Sequence, residues 1–144
     1  MKIKLRHPGQ SLVEFALIIP LAIFLITGFF DLGRAVFNYS SLTNAVREAT
    51  RYAIVNRTEL TNATTYPTNN TLQDKVMDYA FGMTLNRADI IVTVLQENNL
   101  FMTVSIEATY LYQPITPGVK ALLGSTGGIS IRAHSKMLVS PGSR

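Results

Sequence analysis

The sequence predicts an α+β protein in which one long N-terminal helix packs on a small antiparallel β-sheet. Three observations lead to this fold: an uncharged apolar run near the N-terminus, a helical repeat of apolar residues directly after it, and a two-residue alternation after residue 89. The chain has 144 residues, enough for one domain with an appended anchor. We take its elements in chain order.

The apolar run at the N-terminus is long enough to cross a bilayer. It reads FALIIPLAIFLITGFF from Phe15 to Phe30, and counted from Ser11 it comprises twenty residues. As a helix this segment would measure about 30 Å, the thickness of the hydrocarbon core. We therefore predict a transmembrane helix over residues 10–30, which continues through Pro20 because membrane helices tolerate an internal proline.

Two other interpretations of the run were considered. A buried core helix would need apolar partners on every side, which the rest of so small a chain does not supply. A cleaved secretory signal would need small residues after the run, where Phe29 and Phe30 stand instead. Both fit the sequence less well than a membrane anchor does.

The basic residues predict the orientation of this anchor. Lys2, Lys4 and Arg6 supply three of the 13 basic charges and precede the run, so the basic stretch of residues 1–9 is expected to stay cytoplasmic. The remaining ten basic residues nearly balance the nine acidic ones. Such a neutral body argues against a nucleic-acid partner, because phosphate binding requires clustered basic side chains.

Residues 31–55 predict an amphipathic continuation of the same helix. Apolar side chains recur there every three or four residues, at Leu32, Val36, Tyr39, Leu42, Val46, Ala49 and Ala53. This stripe is expected to pack on the protein's own sheet, although a coiled-coil seam or a partner-binding groove has the same period. The Thr- and Asn-rich tract of residues 58–71 then predicts a loop.

Residues 56–144 predict an extracytoplasmic α+β body. A short helix is expected over residues 71–83, and a helical turn near residues 119–123. Apolar alternation predicts three antiparallel strands with one buried face, over residues 89–96, 100–112 and 129–139. Because a hairpin alone is marginally stable, the helix contact is expected to stabilise the sheet.

The N-terminal third resembles the TadE-like family of pseudopilins from tight-adherence (Flp, type IVb) pilus systems. The EFA…P pattern is met by Glu14, Phe15, Ala16 and Pro20. A second string after the apolar run matches at Leu42, Asn44, Ala45, Arg47, Glu48, Ala49, Arg51, Tyr52 and Ala53. Major pilins of the Flp type are much shorter and mostly helical. The resemblance therefore implies a minor pilin or pseudopilin with a pilin-like fold.

The resemblance also implies how the chain is processed and where it acts. A membrane-bound prepilin peptidase would cleave between Gly9 and Gln10 and so remove residues 1–9 as a leader. Glu14, followed by Phe15, would take part in assembly by meeting the new α-amino group of a neighbouring subunit. The implied partners are membrane lipid, other pilin or pseudopilin subunits and pilus assembly proteins. The implied location is a cytoplasmic (inner) membrane of bacterial or archaeal type, with a single pass, or the pilus at the cell surface.

No other motif in the sequence predicts chemistry. The chain has no cysteine and two histidines, His7 and His134, so no metal site, cofactor or catalytic residue is expected, and enzyme activity is not expected. The rival function is a permanently anchored single-pass protein whose extracytoplasmic domain binds a partner or solute. N-terminal processing would distinguish the two.

Overall fold

A computed structural model describes residues 8–56, 70–98, 101–124 and 127–139. Its longest element is helix α1, Pro8–Val55, which has 48 residues and measures about 70 Å. The helix is continuous through Pro20, as the sequence predicts. Residues 1–7 of the predicted leader and most of the predicted loop of residues 58–71 lie outside the described residues.

The remaining elements form an α+β body, which confirms the predicted fold class. In chain order they are helix α2 (Asn70–Tyr79), a 3₁₀ turn (Arg87–Asp89), strands β1 (Ile90–Asn98) and β2 (Phe101–Tyr112), helix α3 (Pro117–Leu122) and strand β3 (Ile129–Val139). The three strands form one antiparallel sheet in the order β1-β2-β3. All three predicted strands are therefore present.

The register of the sheet places the two ends of β2 far apart. Tyr112 at the C-terminal end of β2 pairs with Ile129, and Thr103 near the other end pairs with Leu138. Nine residues of strand separate Thr103 from Tyr112, a distance of about 30 Å. The Tyr112 end is the one that contacts α1 beside its apolar half, as described below.

The core lies between the sheet, α2 and the second half of α1. Val104, Ile106 and Ala108 of β2 are fully buried, as the predicted alternation requires, but Thr103, which the alternation assigns to the exposed face, is buried as well. The α1 residues of the core are Leu42, Ala45, Val46, Ala49 and Ala53, all without solvent exposure. Because alanine side chains are small, the four-residue spacing of Ala45, Ala49 and Ala53 lets the body approach the helix axis closely.

One part of the predicted stripe on α1 is wrong. Leu32, Val36 and Tyr39 were expected to face the body, but each is more than half exposed. Asp31 and Asn38 are buried in their place, at 5% and 6% exposure. The reason is that a helix residue is rotated by about 100° from its neighbour, so the buried face of α1 continues through polar side chains that hydrophobicity alone does not reveal.

Helix α2 is shorter than predicted. It ends at Tyr79, before the expected residue 83, and Gly82, with a φ of +77°, lies in the turn that follows. The turn that follows is fixed to α1, since the Ser41 hydroxyl donates a 3.0 Å hydrogen bond to the carbonyl oxygen of Phe81. The second predicted helical turn is present as α3, two residues earlier than expected.

Candidate functional site

The first half of α1 is an apolar surface that the rest of the protein leaves largely open. Within the described residues one helix is long and apolar enough to span a bilayer, with a mean hydropathy of 2.4 in its best window. None of that window is buried. The interpretation as a buried core helix is therefore wrong. The exposed helix fits a single-pass membrane anchor.

The anchor and the body meet at Asp31, the first charged residue after the apolar run. Its carboxylate accepts hydrogen bonds from the main-chain N–H groups of Ile115 (3.0 Å) and Thr116 (2.9 Å). The Tyr112 hydroxyl donates to the main-chain carbonyl oxygen of Asp31 at 2.8 Å and lies 3.3 Å from the carboxylate. We call Asp31, Tyr112, Ile115 and Thr116 the junction. It joins the end of β2 to α1.

The electrostatics of the junction favour the ionised carboxylate. Burial by itself would raise the pKa of Asp31, but hydrogen bonds from Thr116, Ile115 and Tyr112 outweigh this and hold the pKa at about 2, below the ordinary 3.8. Burial, followed by the negative charge of Asp31, raises the pKa of Tyr112. Arg34 adds a weak contact, 3.9 Å from the carboxylate and 5.8 Å above the Tyr112 ring.

Beyond the junction, α3 reaches back onto the apolar half of α1. A methyl group added at Gly118 would collide with the ring of Phe24, so only glycine permits this approach without a shift of the ring. A groove of about 620 Å³ lies between the two elements. Its walls come from one face of α1, between Ile19 and Arg34, and from residues 115–118.

The predicted processing and assembly residues lie at the other end of α1, away from the body. Gly9 and Gln10 are exposed in the first turn, where helix N–H groups lack intrahelical acceptors. Glu14 and Phe15 are exposed one turn further on. The Gln10 side-chain amide donates to the Glu14 carboxylate at 3.3 Å, so the structure brings these two predicted residues together.

The second string of the resemblance is divided between two faces of α1. Its small and apolar members, Leu42, Ala45, Ala49 and Ala53, pack on the body. Its charged members are exposed, and Arg51 forms an ion pair of 3.3 Å with Glu48. The string is therefore explained in part by packing of this fold, whereas its charged face is free for other contacts.

His134 has a structural role on the exposed face of the sheet. Its Nε2 atom lies 2.9 Å from the hydroxyl oxygen of Ser105 on the neighbouring strand. Among the described residues no group of three His, Asp or Glu side chains is arranged to hold a metal ion. Hydrogen bonding across the strands accounts for the position of this residue.

The junction and the groove were not found from the sequence. In the sequence, Asp31 is distinguished only as the first charged residue after the apolar run. The available signal was helical spacing. Ala35 and Asn38 follow Asp31 by four and seven residues, and the buried Leu42 follows Asn38 by four. No local signal connects Asp31 with Thr116, because 85 residues separate them in the chain.

Comparison with known proteins supports the resemblance seen in the sequence. Residues 9–51 match the family model described as TadE-like protein, which covers α1 from its first turn to Arg51. No curated protein and no solved structure matches the chain. Over its long helix the chain is therefore similar to the TadE-like family, and residues 52–144 lie outside the match.

Proposed function

We propose that this chain is a minor pilin or pseudopilin that a prepilin peptidase cleaves after Gly9 and that takes part in assembly of a tight-adherence (Flp) pilus. In this proposal residues 1–9 are the leader, 10–30 the transmembrane segment, 31–55 the amphipathic continuation and 56–144 the extracytoplasmic body. The N-terminus lies in the cytoplasm and the body lies outside. The role is structural.

The observation that carries the proposal is the absence of any buried residue in the most apolar window of α1. The body packs on the second half of the helix and leaves the most apolar window without any buried residue. A surface of this kind is stable in lipid or against other helices, and unstable in water. A pilin subunit requires both environments in turn, first the bilayer and then the neighbouring helices of a filament.

Two glycines on the exposed helix support packing against other helices. At Gly28 and Gly33, no atom outside the adjoining backbone of the helix lies within 4 Å of the position where a side chain would begin. Small residues on an open face allow a second helix to approach closely. The exposed Phe29 and Leu32 lie beside them and supply apolar contact area.

The position of Glu14 gives it a role after cleavage. Once Gln10 becomes the N-terminal residue, it carries an α-amino group one helical turn from the Glu14 carboxylate. A carboxylate close to a membrane border is costly unless it meets a cation. We propose that, in the assembled state, Glu14 pairs with the α-amino group of Gln10 of a neighbouring subunit.

Mass spectrometry of the N-terminus tests the proposal. The protein is isolated from membranes of a host with and without its prepilin peptidase. We expect Gln10 as the first residue in the first host, as glutamine or as the pyroglutamate that N-terminal glutamine forms, and the intact leader in the second. The variant Gly9→Leu should retain its leader in both hosts, whereas Pro8→Ala provides a control substitution next to the bond.

An intact Met1 or Lys2 in the peptidase-competent host would contradict processing. That outcome would favour the permanently anchored single-pass protein instead. Co-purification of the cleaved protein with other pilins then tests assembly. A cleaved subunit that remains in the membrane as a lone molecule, with the assembly proteins present, would contradict the second half of the proposal.

A further inference from the structure

We propose that the segment Ile115–Leu122 is a membrane-contacting element, which enters the outer-leaflet interface beside α1 while lipid acyl chains fill the groove between them. This inference rests on the proposed function, because it requires the first half of α1 to span the bilayer. It adds a second attachment of the body to the membrane, in a part of the chain that the family match does not include.

The first argument is the depth at which α3 contacts α1. Gly118 packs on the ring of Phe24, six residues before the end of the apolar run at Phe30. Six helical residues correspond to about 9 Å along the axis. When residues 10–30 span the hydrocarbon, Gly118 therefore lies at the level of the outer leaflet and not above the membrane.

The second argument is the composition of the exposed surface at this depth. Ile115 is 72% exposed and Leu122 is 81% exposed, a degree of exposure that costs free energy in water. Leu122 lies four residues after Gly118 in the same helix, so it shares the face that approaches Phe24. Both side chains are thus placed where lipid would cover them.

The third argument is that the polar groups of the segment are prepared for a medium of low polarity. Asp31 accepts the N–H groups of Ile115 and Thr116, and Pro117 has no N–H group to satisfy. The N–H of Lys120 donates to the carbonyl oxygen of Thr116 at 3.0 Å. Unpaired backbone groups are costly in lipid, and these contacts lower that cost for the N–H groups of Ile115, Thr116 and Lys120.

The single charged side chain of the segment agrees with an interfacial position. Lys120 is exposed and lies on the short helix between the two apolar ends of the segment. A lysine there extends its ammonium group to the headgroup phosphates while its methylene groups remain near the acyl chains. A cationic side chain also favours anionic lipid.

The groove identifies acyl chains as the ligand. Its volume of about 620 Å³ is bounded on one side by lipid-level residues of α1, such as Ile19 and Ile23, and on the other by Ile115 and Pro117. A groove that is apolar and lies at the depth of the outer leaflet is adjacent to lipid tails before any protein partner arrives. A helix of a second subunit is the other occupant, and the experiment below distinguishes it.

Tryptophan fluorescence tests the proposal directly, since the chain contains no tryptophan. Single-tryptophan variants Ile115→Trp, Leu122→Trp, Ile18→Trp and Leu138→Trp of the full chain are reconstituted into vesicles of phosphatidylcholine and phosphatidylglycerol. The acyl chains carry bromine either near the headgroup or near the chain end. Ile18 is a reference within the span, and Leu138 is an exposed reference at the distal end of the sheet.

We expect Ile115→Trp and Leu122→Trp to lose fluorescence with bromine near the headgroup and less with bromine near the chain end. Ile18→Trp should show the opposite order, and Leu138→Trp should lose none. The four substituted side chains are all more than half exposed, so the fold is expected to accept each variant. Circular dichroism of the reconstituted samples verifies this.

Two outcomes overturn the inference in distinguishable ways. If Ile18→Trp is quenched but Ile115→Trp and Leu122→Trp behave as Leu138→Trp does, the span is correct and the membrane-contacting element is wrong. If the tryptophans of Ile115→Trp and Leu122→Trp are protected from bromine quenching only when subunits associate, the groove is assigned to the helix of a second subunit. If Ile18→Trp is also unquenched, the membrane anchor of the proposed function fails as well.

Discussion

The Tyr112 hydroxyl donates a 2.8 Å hydrogen bond to the main-chain carbonyl oxygen of Asp31, 81 residues earlier in the chain. Together with the N–H groups of Ile115 and Thr116, it fixes the end of β2 against α1 at the border of the apolar run. This contact determines where the body stands relative to the membrane anchor. Its strength is therefore the first property to measure.

Removal of the charge at the junction should destabilise the body. Asp31→Asn replaces a charge-assisted acceptor, and we expect a loss of about 2 kcal/mol in the free energy of unfolding. Tyr112→Phe removes one hydrogen bond and should cost about 1 kcal/mol. The measurement is urea unfolding of the full chain in detergent, monitored by near-ultraviolet circular dichroism.

The double variant of Asp31 and Tyr112 tests whether the two residues act together. Because they share hydrogen bonds, the double variant should lose less stability than the two single losses added. Asp78→Asn is the matched control: that carboxylate is 64% exposed in its ion pair with Lys75, and its loss should change little. Additive losses at the junction would contradict the coupling.

The low pKa of Asp31 predicts a loss of stability in acid. The folded pKa of about 2 lies below the ordinary 3.8, so the unfolded chain binds the proton more readily than the folded one. The stabilisation is complete above about pH 4 and is lost as the pH falls towards about 2, with a total near 2 kcal/mol. Urea unfolding across this range measures it.

Asp31→Asn is the control for the acid titration. This variant lacks the Asp31 carboxyl group, so its free energy of unfolding should not include the loss that protonation of Asp31 causes between about pH 4 and about pH 2. Other carboxylates titrate there too, and the difference between the two proteins isolates Asp31. Parallel pH profiles of the two proteins would show that the junction carboxylate does not contribute.

The alanines of α1 predict a sensitive contact between helix and sheet. Ala49 has no solvent exposure, so Ala49→Leu places additional methylene groups in a filled core and should cost about 1–3 kcal/mol. Ser40→Leu, at an exposed position of the same helix, is the matched control. Equal unfolding free energies of the two variants would argue against close packing at this helix face.

Substitution by alanine should change the stability of the protein in opposite directions at two glycines. Gly82 has a φ of +77°, in which a side chain costs about 1–2 kcal/mol, so Gly82→Ala should destabilise the body. Gly33 is in the interior of α1 with open space around it, so Gly33→Ala should stabilise the helix by about 0.5–1 kcal/mol. Thermal unfolding of both variants measures the difference in sign.

Glu14 should matter more for assembly than for membrane insertion. Glu14→Ala removes the proposed partner of the new α-amino group but increases the apolar character of the span, so insertion should not fall. Incorporation into filaments should fall, as measured by the fraction of subunit sheared from cells with the pilus. Glu14→Asp, which retains the charge, should restore part of it, and equal incorporation of Glu14→Ala would contradict the role.

Much of the fold follows from periodicity. The apolar run, the alternation of β2 and β3 and the buried positions Leu42, Val46, Ala49 and Ala53 all have a local sequence pattern, and the structure confirms them. The same rule failed at Leu32, Val36 and Tyr39, because hydrophobicity identifies which residues avoid water but not whether this chain or another molecule covers them.

The junction and the groove could not be predicted for a different reason. Asp31 is buried because Ile115 and Thr116 supply its hydrogen bonds, and nothing near any of these residues in the sequence encodes that pairing. Gly118 likewise has meaning only beside Phe24. The proposed processing residues are a separate case, since their role was implied by the family resemblance and stays a prediction.

The bare first half of α1 has a consequence for how its sequence can vary. From Ser11 to Ile18 every residue is exposed. Substitutions in this stretch therefore have no compensating position in the body of the same molecule. Any paired changes that involve it across related genomes should link it to other polypeptides, and such linked positions would identify the proteins that contact this stretch.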